Sequence, residues 1–216
     1  MNELLIKYNE LLIERNQYVN LTGHKTIEES MKHNIEDSLL FNNEIAPYMK
    51  DETKCIDIGS GGGCPAIPLK ISFPNVQMTM VDSIRKKTDF LNEVTEQLGL
   101  TDTTTIHTRI EDFCTQNRES FDIVTARAVA HLSTLAEYGL PLLKIGGHMF
   151  AFKGKAANEE IEQSKKAVAL LGGEIVKIHE ANLDKETTRN LVVIKKVGPT
   201  PKKYPRTKNL PRVNPL

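Results

Sequence analysis

No stretch of the sequence approaches the roughly 20 consecutive apolar residues that a membrane-spanning helix requires, so a soluble protein is expected. Residues 1 to 15 interleave Glu3, Lys7, Glu10 and Glu14 with leucines, unlike the basic-then-apolar order of a secretory leader, and no export is expected. Cysteine is scarce. Cys55, Cys64 and Cys114 form no Cys-x-x-Cys pair, and this odd, scattered set argues against a disulfide framework and fits a reducing cytoplasm. The histidines, at 24, 33, 107, 131, 148 and 179, show no metal-ligand spacing and do not cluster with the cysteines, so no metal is expected. Neither charge is in excess either, since 28 basic and 28 acidic side chains cancel. The cancellation is uneven: residues 195 to 216 carry seven basic side chains and no acidic one, leaving the preceding 194 residues at net minus seven. Such a tail suits a polyanionic partner, because each cation that neutralises a phosphate releases condensed counterions. A solubilising tail is the alternative.

A chain of 216 residues suits one α/β domain with extensions better than two domains and a linker. Leu4, Leu5, Tyr8, Leu11 and Leu12 recur with helical period, predicting an opening amphipathic helix. Thr26 and Glu29 read as a capping box that starts a second helix through about Asn34, and a third is expected over Glu36 to Ala46. Residues 1–50 would then form a helical cap. From Lys54 short apolar runs alternate with longer amphipathic ones, the pattern of repeated βα units. Strands are expected at 55–58, 76–81, 104–108, 122–126 and 148–152, with helices at 67–72, 86–98, 132–143 and 158–171. Two further runs, 174–179 and 191–196, are close enough to pair antiparallel at a sheet edge. The expected fold is a doubly wound, mostly parallel sheet of about seven strands over residues 54–196. Five of the ten prolines fall between Pro199 and Pro215, so residues 197–216 read as an extended basic surface tail.

The most informative segment is Asp57-Ile58-Gly59-Ser60-Gly61-Gly62-Gly63-Cys64-Pro65, where an apolar strand enters a glycine-dense turn. Glycines admit positive φ and let a ligand approach the backbone at the carboxyl edge, where open α/β sheets bind ligands. A dinucleotide fold also has a glycine-rich first turn, but its third glycine falls here on Cys64, and Asp57 suits a cationic methionyl donor better than a pyrophosphate. Gly59 and Gly61 are thus candidate cofactor contacts. Asp82, in the step Asp82-Ser83, lies 23 residues after Gly59, where a strand-end carboxylate can accept from both ribose hydroxyls of an adenosine. Arg109-Ile110-Glu111-Asp112 follows the third strand, where backbone groups of Ile110 and Glu111 can read an adenine edge; the same residues could start a capped helix.

The segment after the fourth strand is Thr125-Ala126-Arg127-Ala128-Val129-Ala130, not the (Asn/Asp)-Pro-Pro-(Tyr/Phe) of enzymes that methylate exocyclic amines. No cysteine stands there to attack a pyrimidine, so covalent base chemistry is disfavoured. Guanine N7 offers an exposed lone pair and needs no general base. Arg127 is a candidate to orient the base or the cofactor, with a purely structural ion pair as the alternative.

Taken together, Asn20-Leu21-Thr22, Asp37-Ser38-Leu39, the glycine loop with Ile67-Pro68-Leu69, Asp82-Ser83, Arg127-Ala128-Val129-Ala130, Lys153-Gly154, Arg189 to Ile194, and Tyr204-Pro205-Arg206 resemble the glucose-inhibited division protein B family of bacterial 16S rRNA guanine-N7 methyltransferases. The resemblance spans nearly the whole chain and implies the class I fold of S-adenosylmethionine-dependent methyltransferases. It also implies that Gly59, Cys64, Ile110, Glu111 and Arg127 contact S-adenosylmethionine. The implied substrate is 16S rRNA within small ribosomal subunit particles. Lys153, Arg189, Lys202, Lys203 and Arg206 are candidates for RNA contact, with Tyr204 stacking or packing; the alternative for Tyr204 and Arg206 is to pin the tail onto the domain. Cys64 stands where the family more often has a bulky apolar residue, Ala66 where glycine is common, and Asn209 where a tail glycine is usual; Asn tolerates positive φ. A monomer is favoured. The alternatives are a methyltransferase acting on a small molecule or a different RNA, a non-catalytic RNA-binding factor, and a dinucleotide oxidoreductase.

Overall fold

A computed structural model describes residues 2–216. Its centre is one seven-stranded sheet in the order β3-β2-β1-β4-β5-β7-β6. Strands β1 (Lys54–Ile58), β2 (Gln77–Asp82), β3 (Thr103–His107), β4 (Phe121–Arg127) and β5 (Leu143–Lys153) run parallel. The last two, β6 (Gly173–Asn182) and β7 (Thr188–Lys196), pair with each other antiparallel, and β7 inserts antiparallel beside β5. Side chains alternate between two cores, as the pleat requires. Phe150, Phe152, Leu191 and Val193 face one core; Met149, Ala151, Val192 and Ile194 face the other. Helices α1 (Glu3–Asn16), α5 (Ala66–Ser72) and α6 (Arg85–Gln97) cover the first face, and α7 (Ile110–Gln116), α8 (Leu132–Gly139) and α9 (Ala157–Leu170) the second.

The cap differs from expectation in that its second and third helices run together and the third breaks again at residues 40–41. Between α1 and the sheet lie α2 (Ile27–Ser30), a π turn (Met31–Glu36), α3 (Asp37–Leu39) and α4 (Asn42–Ile45). The expected second and third helices therefore run together through the π turn. The capping oxygen is present, with Thr26 Oγ1 accepting from Glu29 N at 3.2 Å, but the return bond from Glu29 goes to Lys25 N. Within the π turn the Asn34 amide bonds Thr22 Oγ1 at 2.9 Å and Ser30 Oγ at 3.0 Å, so side chains stabilise the widened turn.

Strand β5 begins five residues before the expected His148. Phe121 pairs with Leu143 but Ile123 with His148, so residues 144–147 bulge opposite Asp122. The bulge needs residues without side chains: a Cβ on Gly147 would lie 2.8 Å from Asp122 O.

The tail is not a free extension. Arg118 donates to Thr200 O at 2.7 Å and to Tyr204 O at 2.6 Å. Tyr204 is buried, and Arg206 pairs with fully buried Glu137 through Nε at 2.9 Å and Nη2 at 2.7 Å. The tail then closes in a short helix, α10 (Leu210–Val213). Removing Arg206 leaves Glu137 buried with one backbone bond from residue 206. Arg206→Ala is therefore expected to lower unfolding stability by about 3 kcal/mol. Adding Glu137→Gln should recover part of that loss in urea denaturation.

Candidate functional site

Strand order reverses between β1 and β4, and the carboxyl ends of β1, β2 and β4 open a crevice there. The glycine loop forms its floor. Gly59 N and Ser60 N donate to Val81 O at 2.8 and 3.1 Å, turning the chain sharply out of β1. Gly59 has φ of 70°, and a Cβ there would lie 2.8 Å from Val129 Cγ2. Gly63, at φ of 98°, has no room for one either, with Ile67 Cδ1 at 2.6 Å. Asp82 ties the loop to the next strand: Oδ2 accepts from Gly61 N and Oδ1 from Ile84 N, both at 2.9 Å.

The N-terminal helix reaches the same loop. Tyr8, fully buried on α1, donates its hydroxyl to Gly62 O at 2.6 Å, and its oxygen lies 3.1 Å from Cys64 Sγ, whose thiol is the donor of that second contact. Burial pushes both the Tyr8 phenol and the Cys64 thiol up in pKa, so Cys64 stays protonated and is not an activated nucleophile.

Arg127, at the end of β4, turns toward the cap. Its Nη1 donates to His33 O at 3.1 Å and Asp37 Oδ2 at 3.2 Å, and Nη2 to Asn34 Oδ1 at 3.3 Å. The other oxygen of Asp37 accepts from Arg189 Nε at 2.8 Å. Asp37 therefore bridges two guanidiniums, one from β4 and one from β7. Beside them His24 and His33 stack with centroids 4.7 Å apart, and burial lowers the His24 pKa.

Two cavities meet at Gly59, Ala128 and Val129. The smaller, about 370 Å³, gathers Asp82, Ser83, Ile110 and Glu111, and is walled further by Tyr138, Asn209 and Arg212. The larger, about 740 Å³, lies between cap and sheet and gathers Gly61, Cys64, Arg127, Lys153 and Arg189 with His24, His33, Asn34 and Asp37. Lys87 lines both. The sequence-derived cofactor residues thus divide between two adjoining spaces. Of the RNA candidates, Lys153 is buried, its ammonium held by Ala130 O at 2.7 Å and Glu160 Oε2 at 2.6 Å. Arg189 is half-buried, and Lys202, Lys203, Tyr204 and Arg206 lie outside both cavities, with Lys202 and Lys203 exposed.

Sequence reasoning did not single out Tyr8, Asn34, Lys87 or Arg212 as site residues. Tyr8 counted only as part of an apolar helix face. Asp37 stood inside a quoted motif without an assigned role.

Under the loop, Asp57 is 1% exposed, accepts from Thr125 Oγ1 at 2.6 Å, and forms no ion pair among the described residues. Burial raises its pKa to about 6, opposed by hydrogen bonds from Thr125 and Ser60 and by the charge of Arg127. A buried carboxylate with no ion-pair partner beside two connected cavities fits a cationic, two-part ligand such as S-adenosylmethionine. Among the described residues no group of three or more His, Cys, Asp or Glu side chains is placed to hold a metal, and no helix is long and apolar enough to cross a membrane.

Comparison with known proteins identifies the family and the fold. The family model described as rRNA small subunit methyltransferase G matches residues 1–192. The chain is 46% identical over 211 residues to the ribosomal RNA small subunit methyltransferase G of Clostridium botulinum (strain Eklund 17B / Type B), covering 94% of this chain and 86% of that one. In fold it is similar to a putative sarcosine dimethylglycine methyltransferase from Galdieria sulphuraria, with a TM-score of 0.63 at 12% identity over 88% of this chain and 98% of that one. It is also similar to M. jannaschii TYW2, solved in complex with AdoMet, with a TM-score of 0.56 at 13% identity over 74% and 77% of the two chains. The match over most of the chain's length settles the family: this protein belongs to the rRNA small subunit methyltransferase G family.

Proposed function

We propose that this chain transfers a methyl group from S-adenosylmethionine to N7 of one guanine in 16S rRNA, acting as a single methyltransferase domain on small ribosomal subunit particles in the cytoplasm. The observation that carries the reading is the junction of the two cavities at Gly59, with the adenosine-type residues Asp82 and Glu111 on one side and the Arg127 cleft on the other. When bound, the donor supplies a methyl on a positively charged sulfur. Asp57 offsets that charge from beneath the loop, Asp82 accepts from the ribose, and Ile110 and Glu111 meet the adenine. Arg127, whose Nε has no acceptor among the described residues, orients the base.

The acceptor atom is supported by what the cleft's acids do. Asp37 is bound by Arg127 and Arg189, and Glu160 by Lys153, so neither carboxylate is free to take a proton. An N7 lone pair asks for none; alignment and exclusion of water suffice. Lys202 and Lys203 are the RNA contacts favoured by their exposure, Arg189 is a further one because it lines the larger cavity, and Lys153 and Arg206 support the surface from within.

Labelled methyl transfer to small subunits from a strain lacking the native enzyme is expected to mark one guanine at N7. Label on another atom, or on none while the donor binds, would sink the acceptor assignment.

Arg127→Ala is expected to lower kcat about 100-fold with the circular dichroism spectrum retained, since Arg189 still holds Asp37. Arg127→Lys should not rescue it, because an ammonium cannot span the same forked acceptors. Unchanged turnover would remove Arg127 from the site.

Asp57 makes a pH-dependent prediction. The folded state holds its proton up to about pH 6, whereas an unfolded Asp releases it near pH 4. Its contribution to stability is therefore full below about pH 4 and lost as pH rises through 6. Asp57→Asn stays neutral, so the unliganded variant should exceed the parent in stability by about 3 kcal/mol at pH 8 and match it near pH 4. The same variant should bind S-adenosylmethionine more weakly and lose the parent's weakening of affinity below pH 6. Urea titrations at both pH values and calorimetry read the two effects.

A further inference from the structure

The family match ends at residue 192, yet residues beyond it reach the smaller cavity. Asn209 and Arg212 stand in its wall with Asp82 and Glu111. Three sets of contacts hold the tail in that position. Arg118 clasps Thr200 O and Tyr204 O, Arg206 is bound to buried Glu137, and Thr134 Oγ1 donates to Pro211 O at 2.8 Å. Asn209 is left-handed, with φ of 59°, and turns the chain into α10; its carbonyl accepts from Arg212 N at 3.1 Å. Arg212 Nη2 donates to Val129 O at 2.8 Å, and Val129 is the residue packed against Gly59.

These contacts make the last turn of the chain part of the pocket. The Arg212 guanidinium has five N–H donors, and Val129 O is its one hydrogen-bond acceptor among the described residues. Its flat face is suited to an aromatic ring. The cavity's own carboxylates, Asp82 and Glu111, supply acceptors for hydroxyls and amines but no donor for the ring nitrogens of a purine. Arg212 adds a planar donor, tied to Val129 O, to the Lys87 and Arg109 donors that line the same cavity.

We infer that the C-terminal segment completes the donor site, with Arg212 binding the adenine of S-adenosylmethionine and Asn209 setting the turn that presents it. The inference rests on the donor assignment made above. It places the contact at the adenosine end alone, remote in function from the methyl being transferred.

That restriction gives the test. Calorimetry on the full chain would compare S-adenosylmethionine with 5′-methylthioadenosine, which keeps the adenosine and lacks the amino-acid end. Arg212→Ala is expected to weaken both ligands by the same factor, about tenfold, and to raise KM for the donor while kcat holds. Arg212→Lys should retain less than half of the lost binding free energy, because an ammonium has no flat face. Asn209→Gly keeps the left-handed turn and should bind nearly as the parent does. A parent that binds both ligands, with Arg212→Ala binding as tightly, overturns this inference alone. Loss for S-adenosylmethionine only, or a joint fall of kcat and melting temperature with ligand affinity kept, overturns it as well. A parent that binds neither ligand overturns the donor assignment and this inference with it.

Discussion

The guanidinium of Arg127 is the tie between two parts of the chain that sequence separates widely. It leaves the end of β4 and finds its acceptors on the cap: the carbonyls of a π turn, the Asn34 amide and the Asp37 carboxylate. A carbonyl oxygen has two lone pairs, and Asn34 O accepts from Arg127 as well as from its own turn. Asp37 is 6% exposed, so its charge is tolerable only with partners, and Arg189 from β7 supplies the second. Cap, β4 and β7 are thereby fixed relative to one another, and the large cavity has a defined shape because they are.

The same logic operates on the other side of the loop. Asp82 holds one glycine-loop amide and one amide of its own strand end, so the loop and the start of α6 move together. Each oxygen keeps a further lone pair, which is what a ribose would use. Asp57 is the counterweight: nothing in the described protein neutralises it as an ion pair, and its proton is held to about pH 6. A fold that keeps such a group beneath a ligand-sized space is less stable alone than with a cation nearby, which is the expected cost of a preorganised cationic site.

Much of the sheet was legible because its signals are local. A short apolar run and the glycine turn place β1, and the carboxylate at the end of β2 follows from spacing. The start of β5 reads too late in the sequence because residues 144–147 interrupt its apolar pattern, where a bulge has use for residues without side chains. What sequence could not reveal were pairings between distant residues. Arg206 reads as one more tail cation until Glu137, far back on α8, is seen to receive it. Lys153 reads as an RNA contact until Glu160 and Ala130 close around it. Charge counting along a chain cannot tell a cation that faces solvent from one whose partner the fold supplies. The π turn likewise has no local signature, because its stabilising bonds come from Thr22 and Arg127.

Those internal pairings bear on the chemistry. Every cation drawn into a pair inside the cleft also occupies an acid, and Asp37 and Glu160 are both occupied. A reaction that required a carboxylate base would need one of these pairs to break in a partly dry site, leaving a buried charge unmatched. A lone-pair acceptor avoids that penalty, and then the barrier is governed by how well donor and base are held in line. The features that dominate this structure, a cap bolted to β4 and β7, a loop tied to the next strand and a tail fastened beside the smaller cavity, are features of holding.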